Sequence, residues 1–415
     1  MIRFFQIFMG FMVWGSLGSV FCSDWPQFRG PNADGISGET GLIVSWPESG
    51  PVIRWRHKIG EGFSGISVVG KVFYTGDSTE KAEYIIKGDN ETGTVLWRQK
   101  IAGIFEDSWG NGPRSTPAVD GNSLFVMSSE GLFCALDTRT GQVLWVHDIK
   151  KEFGVETPRW GFCMSPLVIG DRVILEIGAS EQRSVAAFEK ETGKLLWTSG
   201  QGGSAYGSPL PIRFEDQDQI LFLNDTRLQS ISPQGEVLWQ YMWKENNIKP
   251  ASPIFVPPNV VVISAAYGVG AAAIEISPEE QGIHTKELWQ NNTLLRNHFT
   301  SSLTLDGFVY GFDNATMKCL DPKTGKQHWA QRGGLGKGSL IAADGKLFLL
   351  TEMGKFKLLK ASSEGYQELA STRLFEDRCW TAPSLSNGMV YIRNLKEIMC
   401  LDVRLPQKAT LQKGG

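Results

Sequence analysis

Residues 135–145 read Ala135-Leu136-Asp137-Thr138-Arg139-Thr140-Gly141-Gln142-Val143-Leu144-Trp145, and the fold follows from this stretch. Asp and Thr cap a turn, and Gly accepts the positive φ that other residues resist. The apolar pair and Trp145 then begin a strand. The pattern Asp-x-x-Thr-Gly-x-x-x-Trp recurs at Asp89 to Trp97 and at Asp321 to Trp329. Glu189 to Trp197 repeats it with Glu for Asp, and Ile231 to Trp239 is a shortened copy around Gly235. Two further copies keep only the final Trp, and Leu369 replaces it in the last, after Glu364-Gly365. The repeat anchors are therefore Trp55, Trp97, Trp145, Trp197, Trp239, Trp289 and Trp329, followed by Leu369, with an average spacing of about 45 residues.

Before each turn lie two more strand-like runs, such as Leu124 to Ser128 and Leu132 to Asp137. Before those stands a Ser/Thr-Pro step, at Thr116-Pro117, Ser165-Pro166, Ser208-Pro209 and Ser252-Pro253. Pro there marks the start of a strand. The runs are almost continuously apolar rather than alternating, as in sheets covered on both faces. A four-strand unit of this length is a propeller blade. The ends fit closure of a ring. Ala382 to Val403 holds three strands and no fourth, while Pro51 to Ile59 is a fourth strand with no preceding three. The expected fold is all-β, an eight-bladed propeller over residues 51–404 closed by its own termini. Residues 24–50 are expected to form a lid or clasp, and residues 405–415 a tail.

The chain has 415 residues, which would otherwise mean two or three domains. Lys and Arg number 41 against 44 Asp and Glu, a net charge of −3 that argues against a nucleic-acid binder with a basic body. With 41% apolar and 20% charged residues the chain is not of the disordered class. Residues 1–23 read as a secretory leader: Arg3, an apolar run from Phe4 to Leu17, then Gly18 and Ser19, with cleavage near Ser23. The run is shorter than the ~20 residues of a spanning helix, and no later segment is a candidate. Cys22 raises a lipid anchor as the alternative, against which Phe21 stands where a lipobox wants a small residue. The expected location is thus exported, periplasmic or envelope-associated. Of the five remaining cysteines none forms Cys-x-x-Cys, which excludes the common structural zinc and c-type haem patterns. They are expected to be small buried hydrophobes, with one disulfide as the alternative. A monomer is expected.

Residues 135–145 resemble, at every position, the tryptophan-docking motif of pyrroloquinoline-quinone (PQQ)-type propellers. The opening Asp24-Trp25-Pro26-Gln27-Phe28-Arg29-Gly30-Pro31-Asn32 and the ending Tyr391-Ile392-Arg393-Asn394 … Cys400-Leu401-Asp402 resemble exported quinoprotein-like propellers of planctomycete-type bacteria. The resemblance covers nearly the whole mature chain and implies an eight-bladed propeller outside the cytoplasm. The family holds two classes. Quinoprotein dehydrogenases bind the quinone and Ca²⁺ on the ring axis, beneath a disulfide between adjacent cysteines. Non-catalytic BamB-like scaffolds hold partner proteins through their loops. This chain has no adjacent cysteines and is shorter than the usual dehydrogenase, which favours the scaffold class. No metal ligand carries over residue by residue.

Several chemical motifs have simpler readings. Gly60-x-Gly62-x-x-Gly65 matches a dinucleotide fingerprint in letters, but a strand-like run follows where the pyrophosphate needs a helix N-terminus. In Gly333 to Ser339 the position after Lys337 is Gly338, not the Ser or Thr of a phosphate loop. His57, His147, His284, His298 and His328 form no metal-ligand spacing. Asp137 and Asp321 serve as turn caps. Glu106 and Asp107, beside Trp109 on a long loop, read as a solvated acidic pair rather than a Ca²⁺ site. One constellation stands out. The loops entering the first strand of each blade approach the ring axis on one face, and they carry Arg114, Trp160, Tyr206, Lys249, His298, Lys337, Arg378 and Trp380. Aromatic faces with Arg and Lys suit a flat acidic ligand or an acidic peptide. The expected function is a non-catalytic protein- or ligand-binding scaffold of the cell envelope. No catalytic residue, metal or cofactor is expected. The alternatives are a PQQ- and Ca²⁺-dependent dehydrogenase of alcohols or sugars, and a purely structural envelope component.

Overall fold

The computed structural model describes residues 23–179, 182–244, 248–280 and 282–406. The leader up to Cys22 and most of the C-terminal tail lie outside the described residues. The described chain forms eight antiparallel sheets of four strands each, one of them extended by a fifth. Blade two shows the plan. Ala118–Asp120 lies innermost, followed outward by Ser123–Met127, Leu132–Asp137 and Val143–Asp148. Blade one spans residues 66–103, and blades three to seven follow in order over 167–199, 210–242, 254–291, 303–331 and 339–373. Blade eight joins Ser384–Ser386, Met389–Arg393 and Glu397–Asp402 to Val52–Lys58, so the two ends of the chain close the ring. One short helix, Ile149–Phe153, interrupts the β pattern after blade two. Asp148 caps its N-terminus, and Gly154 ends it in the left-handed region.

The middle strands are buried on both faces, as their unbroken apolar runs require. Ser123–Met127 and Val260–Ala265 are buried at every position. Neighbouring sheets pack face to face. Between blades two and three, Phe125, Phe133 and Phe188 meet Val173 and Leu175 in one cluster.

Six of the eight joints between blades are made by the repeat itself. Asp137 Oδ1 accepts from the backbone N–H of Arg139 and Thr140 and from the Thr140 hydroxyl, which shapes the turn. The carbonyl after that Asp points back at the preceding blade. Trp97 Nε1 donates to Thr138 O at 3.2 Å, Trp145 to Lys190 O at 3.1 Å, and Trp197 to Pro233 O at 3.2 Å. Trp55, Trp289 and Trp329 do the same to Asn90, Pro322 and Ser362, each at 2.8 Å. The turn glycine lies on the indole face. A Cβ at Gly193 would stand 2.7 Å from the Trp145 ring, and φ there is +75°. Trp239 departs from the pattern. Blade five joins its outer strands, Gly270–Glu279 and Gly282–Asn291, as a long hairpin without the Asp-x-x-Thr-Gly turn. With no such carbonyl facing it, Trp239 donates to Gln219 Oε1 of its own blade at 2.8 Å.

The Ser/Thr-Pro steps make a second, inner set of ties. Gly65 N donates to Thr116 Oγ1, Thr116 N to Ser165 Oγ, Ser165 N to Ser208 Oγ and Ser252 N to Ser301 Oγ, all within 2.9–3.0 Å. At Thr116, Ser165 and Ser208 the hydroxyl before Pro therefore links the inner strand of one blade to its neighbour, and at Ser252 the backbone N–H makes the link to Ser301. The five described cysteines are unpaired, and Cys134, Cys319, Cys379 and Cys400 are buried.

Residues 24–46 run along the face of the ring opposite the loops that enter the first strands. Trp25 pairs with Val68 of blade one, and Pro26 O accepts from Val119 N of blade two. Ala33 packs among Leu210 and Val261 of blades four and five, so the segment crosses the axis. Ile36–Ser37 then adds to the inner strand of blade seven. Ile43 N reaches Val403 O in blade eight, and Trp46 stacks on Phe356 at 5.4 Å.

Two outcomes follow from these ties. Trp145→Ala removes a ring packed against Phe125, Phe133 and Phe188 together with its hydrogen bond. It lowers unfolding free energy by about 3–5 kcal/mol, read from denaturant melts; a wild-type midpoint would mean the indole does not hold the blades. Glu83 is fully buried between blades one and two, with Oε2 accepting from Ser129 N at 3.0 Å and Oε1 unpartnered. Burial outweighs these bonds and raises its pKa to about 7. An unfolded Glu ionises near pH 4.3, so between there and about 7 the folded chain holds a proton the unfolded chain has lost. Stability contributed by this group falls as pH rises across that window. Glu83→Gln matches wild type near pH 4 and melts at higher denaturant near pH 8.

Candidate functional site

The loops entering the first strands gather at one mouth of the ring, above a cavity of about 620 Å³ along the axis. Aromatic side chains form a nearly continuous collar. Trp109 meets Trp380 at 5.7 Å, and Trp380 meets Phe299 at 4.5 Å. His298 stands 6.4 Å from Phe299 and 5.1 Å from Tyr267. Tyr267 continues to Trp160 at 6.3 Å, and Trp160 to Tyr206 at 5.5 Å. Ring centroids at such separations and tilts are attractive pairs, so the collar is a packed wall.

Cations ride on this wall. Arg378 lies 4.4 Å from the Trp380 ring and 5.5 Å from that of Trp109, and donates to Trp109 O at 3.0 Å. Arg114 stands over Phe105 at 4.6 Å and Phe63 at 5.4 Å, while Arg159 stands over Trp160 at 5.4 Å. Stacking on a ring holds a guanidinium in place while leaving N–H groups for a carboxylate. Acids are few. Asp107 caps the Trp109 turn through Trp109 N at 2.7 Å. Glu352 accepts from Trp380 Nε1 at 2.8 Å and from Lys337 N at 3.1 Å. His298 Nε2 lies 2.9 Å from Asn314 Oδ1, and burial lowers its pKa, so the ring is neutral at pH 7. Burial pushes Tyr206 up to about 12. Among the described residues no three His, Cys, Asp or Glu side chains come together to hold a metal ion.

Of the residues singled out from sequence, Arg114, Trp160, Tyr206, His298, Lys337 and Trp380 line the cavity. Arg378 sits on the collar beside it. Lys249 does not reach the mouth. Its side chain is 0% exposed, with Nζ donating to the carbonyls of Asp225 and Lys244 beside the Trp243 ring. Desolvation lowers its pKa to about 8, partly offset by Asp225 and Glu176. The expectation for Lys249 is corrected on that ground: the long stem let the ammonium turn into the protein toward carbonyl oxygens. Sequence reading passed over Phe63, Arg159 and Phe299, although the last two adjoin chosen residues. Tyr267 comes from the loop between the second and third strands of blade five, which the rule of entering loops does not cover. Trp25, Phe28 and Arg29 line the far end of the cavity, from the segment expected to be a clasp.

The family described as Outer membrane protein assembly factor BamB matches residues 81–331. A Yersinia pestis protein of that name is 23% identical over 312 residues, covering 72% of this chain and 75% of the relative. Among solved structures, BamB from Moraxella catarrhalis is similar at a TM-score of 0.62 and 13% identity, over 85% of this chain and 99% of that one. A europium-containing methanol dehydrogenase is similar at 0.66 and 13% identity over 90% of each chain. A quinohemoprotein alcohol dehydrogenase from Comamonas testosteroni is similar at 0.64 and 12% identity, over 94% of this chain and 82% of that one. At such identities the structural likeness speaks for the propeller fold alone. The sequence match extends over more than half of the chain, across the blades whose turns and indoles carry the repeat, and the chain therefore belongs to the family of the outer membrane protein assembly factor BamB.

Proposed function

We propose that this chain is a non-catalytic scaffold of the cell envelope, and that it holds an acidic, aromatic segment of a partner protein at the mouth of the ring. The aromatic collar carrying Arg114, Arg159 and Arg378 supports this reading. It offers ring faces and charge-assisted donors in one place, on a chain whose net charge is −3. Trp109 is half exposed, so part of the collar is open to a partner. Trp and Arg at the centre of a desolvated patch are the residues that most often dominate association. The family's description as an assembly factor for outer membrane proteins fits an exported scaffold, as does the leader read in residues 1–23.

The same wall gives a second reading, a PQQ-dependent dehydrogenase. Ring faces, Arg114, Arg159 and Lys337 fit a flat polycarboxylate. The partner ion does not fit: among the described residues Asp107 is the acidic side chain lining the cavity, and its carboxylate is committed to a turn.

Two measurements separate the readings. Arg378→Ala combined with Trp380→Ala abolishes binding of a synthetic peptide rich in Asp, Glu and Phe, with the thermal midpoint retained. Unchanged affinity in the double variant sinks the mouth as the binding surface. Titration with PQQ and Ca²⁺, followed by absorbance and calorimetry, gives no binding on the scaffold reading. Micromolar, Ca²⁺-dependent binding with reduction of an artificial acceptor moves the chain to the dehydrogenases.

A further inference from the structure

The axial cavity is closed at its far end by residues 24–37, which cross from blades one and two to blade seven. Arg29 stands in that closure. It is 8% exposed and lines the cavity. One of its nitrogens, Nη2, is used: it donates to Asp34 O at 2.6 Å and Ser302 O at 2.7 Å. Nε is buried without a partner, and Nη1 makes no hydrogen bond among the described residues. Arg29 forms no salt bridge among the described residues. Asp34 is the acid that acts on it, yet the Asp34 carboxylate accepts from Ile36 N at 2.9 Å instead. Burial lowers the Arg29 pKa to about 10, so the group is a cation at neutral pH.

A buried cation held by two carbonyl dipoles, with its nearest acid not paired to it directly, is costly, and an anion beside it offsets that cost. The wall above it is also rich in donors. Thr116, Ser165, Ser208 and Ser301 line the cavity, and each accepts a backbone N–H from the neighbouring blade. That bond occupies the hydroxyl oxygen and leaves its hydrogen to donate inward, since none of the four has an acceptor among the described residues. Trp25 and Phe28 flank Arg29 with apolar surface. The deep end therefore presents donors and one cation, and the walls present rings.

We propose that this closed end is a carboxylate subsite, in which Arg29 takes the acid end of a slender aromatic carboxylate whose body lies between the rings above. The proposal rests on the mouth being the way in. A free aromatic acid and the C-terminus of a partner chain ending in an aromatic residue share this chemistry.

The test uses the full chain and two matched pairs: indole-3-acetate against indole-3-acetamide, and a short peptide ending in Trp with a free against an amidated C-terminus. At least one acid binds about tenfold or more tightly than its amide, as a charge-assisted hydrogen bond provides, and the pair that discriminates identifies the source. Arg29→Gln brings the ratio close to one with the amide's affinity kept. Equal affinity for acid and amide in both pairs, no binding at all, or an unchanged ratio in Arg29→Gln overturns the subsite. Should Arg29→Gln fail to fold, a crystal structure of the wild-type complex decides: a carboxylate at Arg29 supports the subsite, and one held at the mouth overturns it. Equal binding of acid and amide, both weakened by Trp380→Ala, removes the floor and leaves the mouth reading standing. Acid preference lost with Arg29→Gln but indifferent to Trp380→Ala does the reverse.

Discussion

The ring depends on one interaction, made at six of its eight joints: the indole of an outer strand reaching the turn of the next blade. A lone four-stranded blade has two apolar faces and no means of covering either. The Asp-shaped turn turns a backbone carbonyl toward the preceding blade, and Trp supplies both a donor for it and a large apolar face beneath the turn glycine. Directional and non-directional terms then agree on the same docking geometry. Blade five lacks the turn, and Trp239 bonds within its own sheet there. The Tyr241 hydroxyl and Glu287, from the outer strands of blades four and five, hydrogen-bond across the same joint.

Closing the ring has a consequence for chemistry. Every first strand begins near the axis, so residues hundreds of positions apart become neighbours. Trp109 and Trp380 touch, and Arg378 bonds Trp109 across 269 positions. The segment before the ring then crosses the opposite face and makes a chamber of what would be a channel. Arg29, Trp25 and Phe28 belong to that chamber only because the segment crosses the axis.

Much of this was legible from residues alone. The recurring Asp-x-x-Thr-Gly-x-x-x-Trp, the spacing and the split blade at the termini led to an eight-bladed ring. The Ser/Thr-Pro steps were read as strand starts, and their hydroxyls turn out also to link blades. The helix Ile149–Phe153 was missed, because five residues carry too little periodic signal to register against the strand pattern. At the mouth, placement by topology succeeded for short, stiff aromatic side chains such as Trp160 and Tyr206. It failed for Lys249, whose four-carbon stem lets the charge lie far from its Cα.

The sequence by itself determined the local and repeated part: turn chemistry, strand order within a blade, the number of blades and the way the ring shuts. These rest on short-range rules, in which Asp, Gly and Trp act within about ten residues of one another and then again one repeat later. Only the tertiary structure decided which side chains converge, which rings stack, where each long cation points, and that Arg29 lies at the end of a chamber. Those outcomes depend on packing between segments distant in the chain and on which carbonyls happen to face a desolvated charge, and no periodicity encodes them.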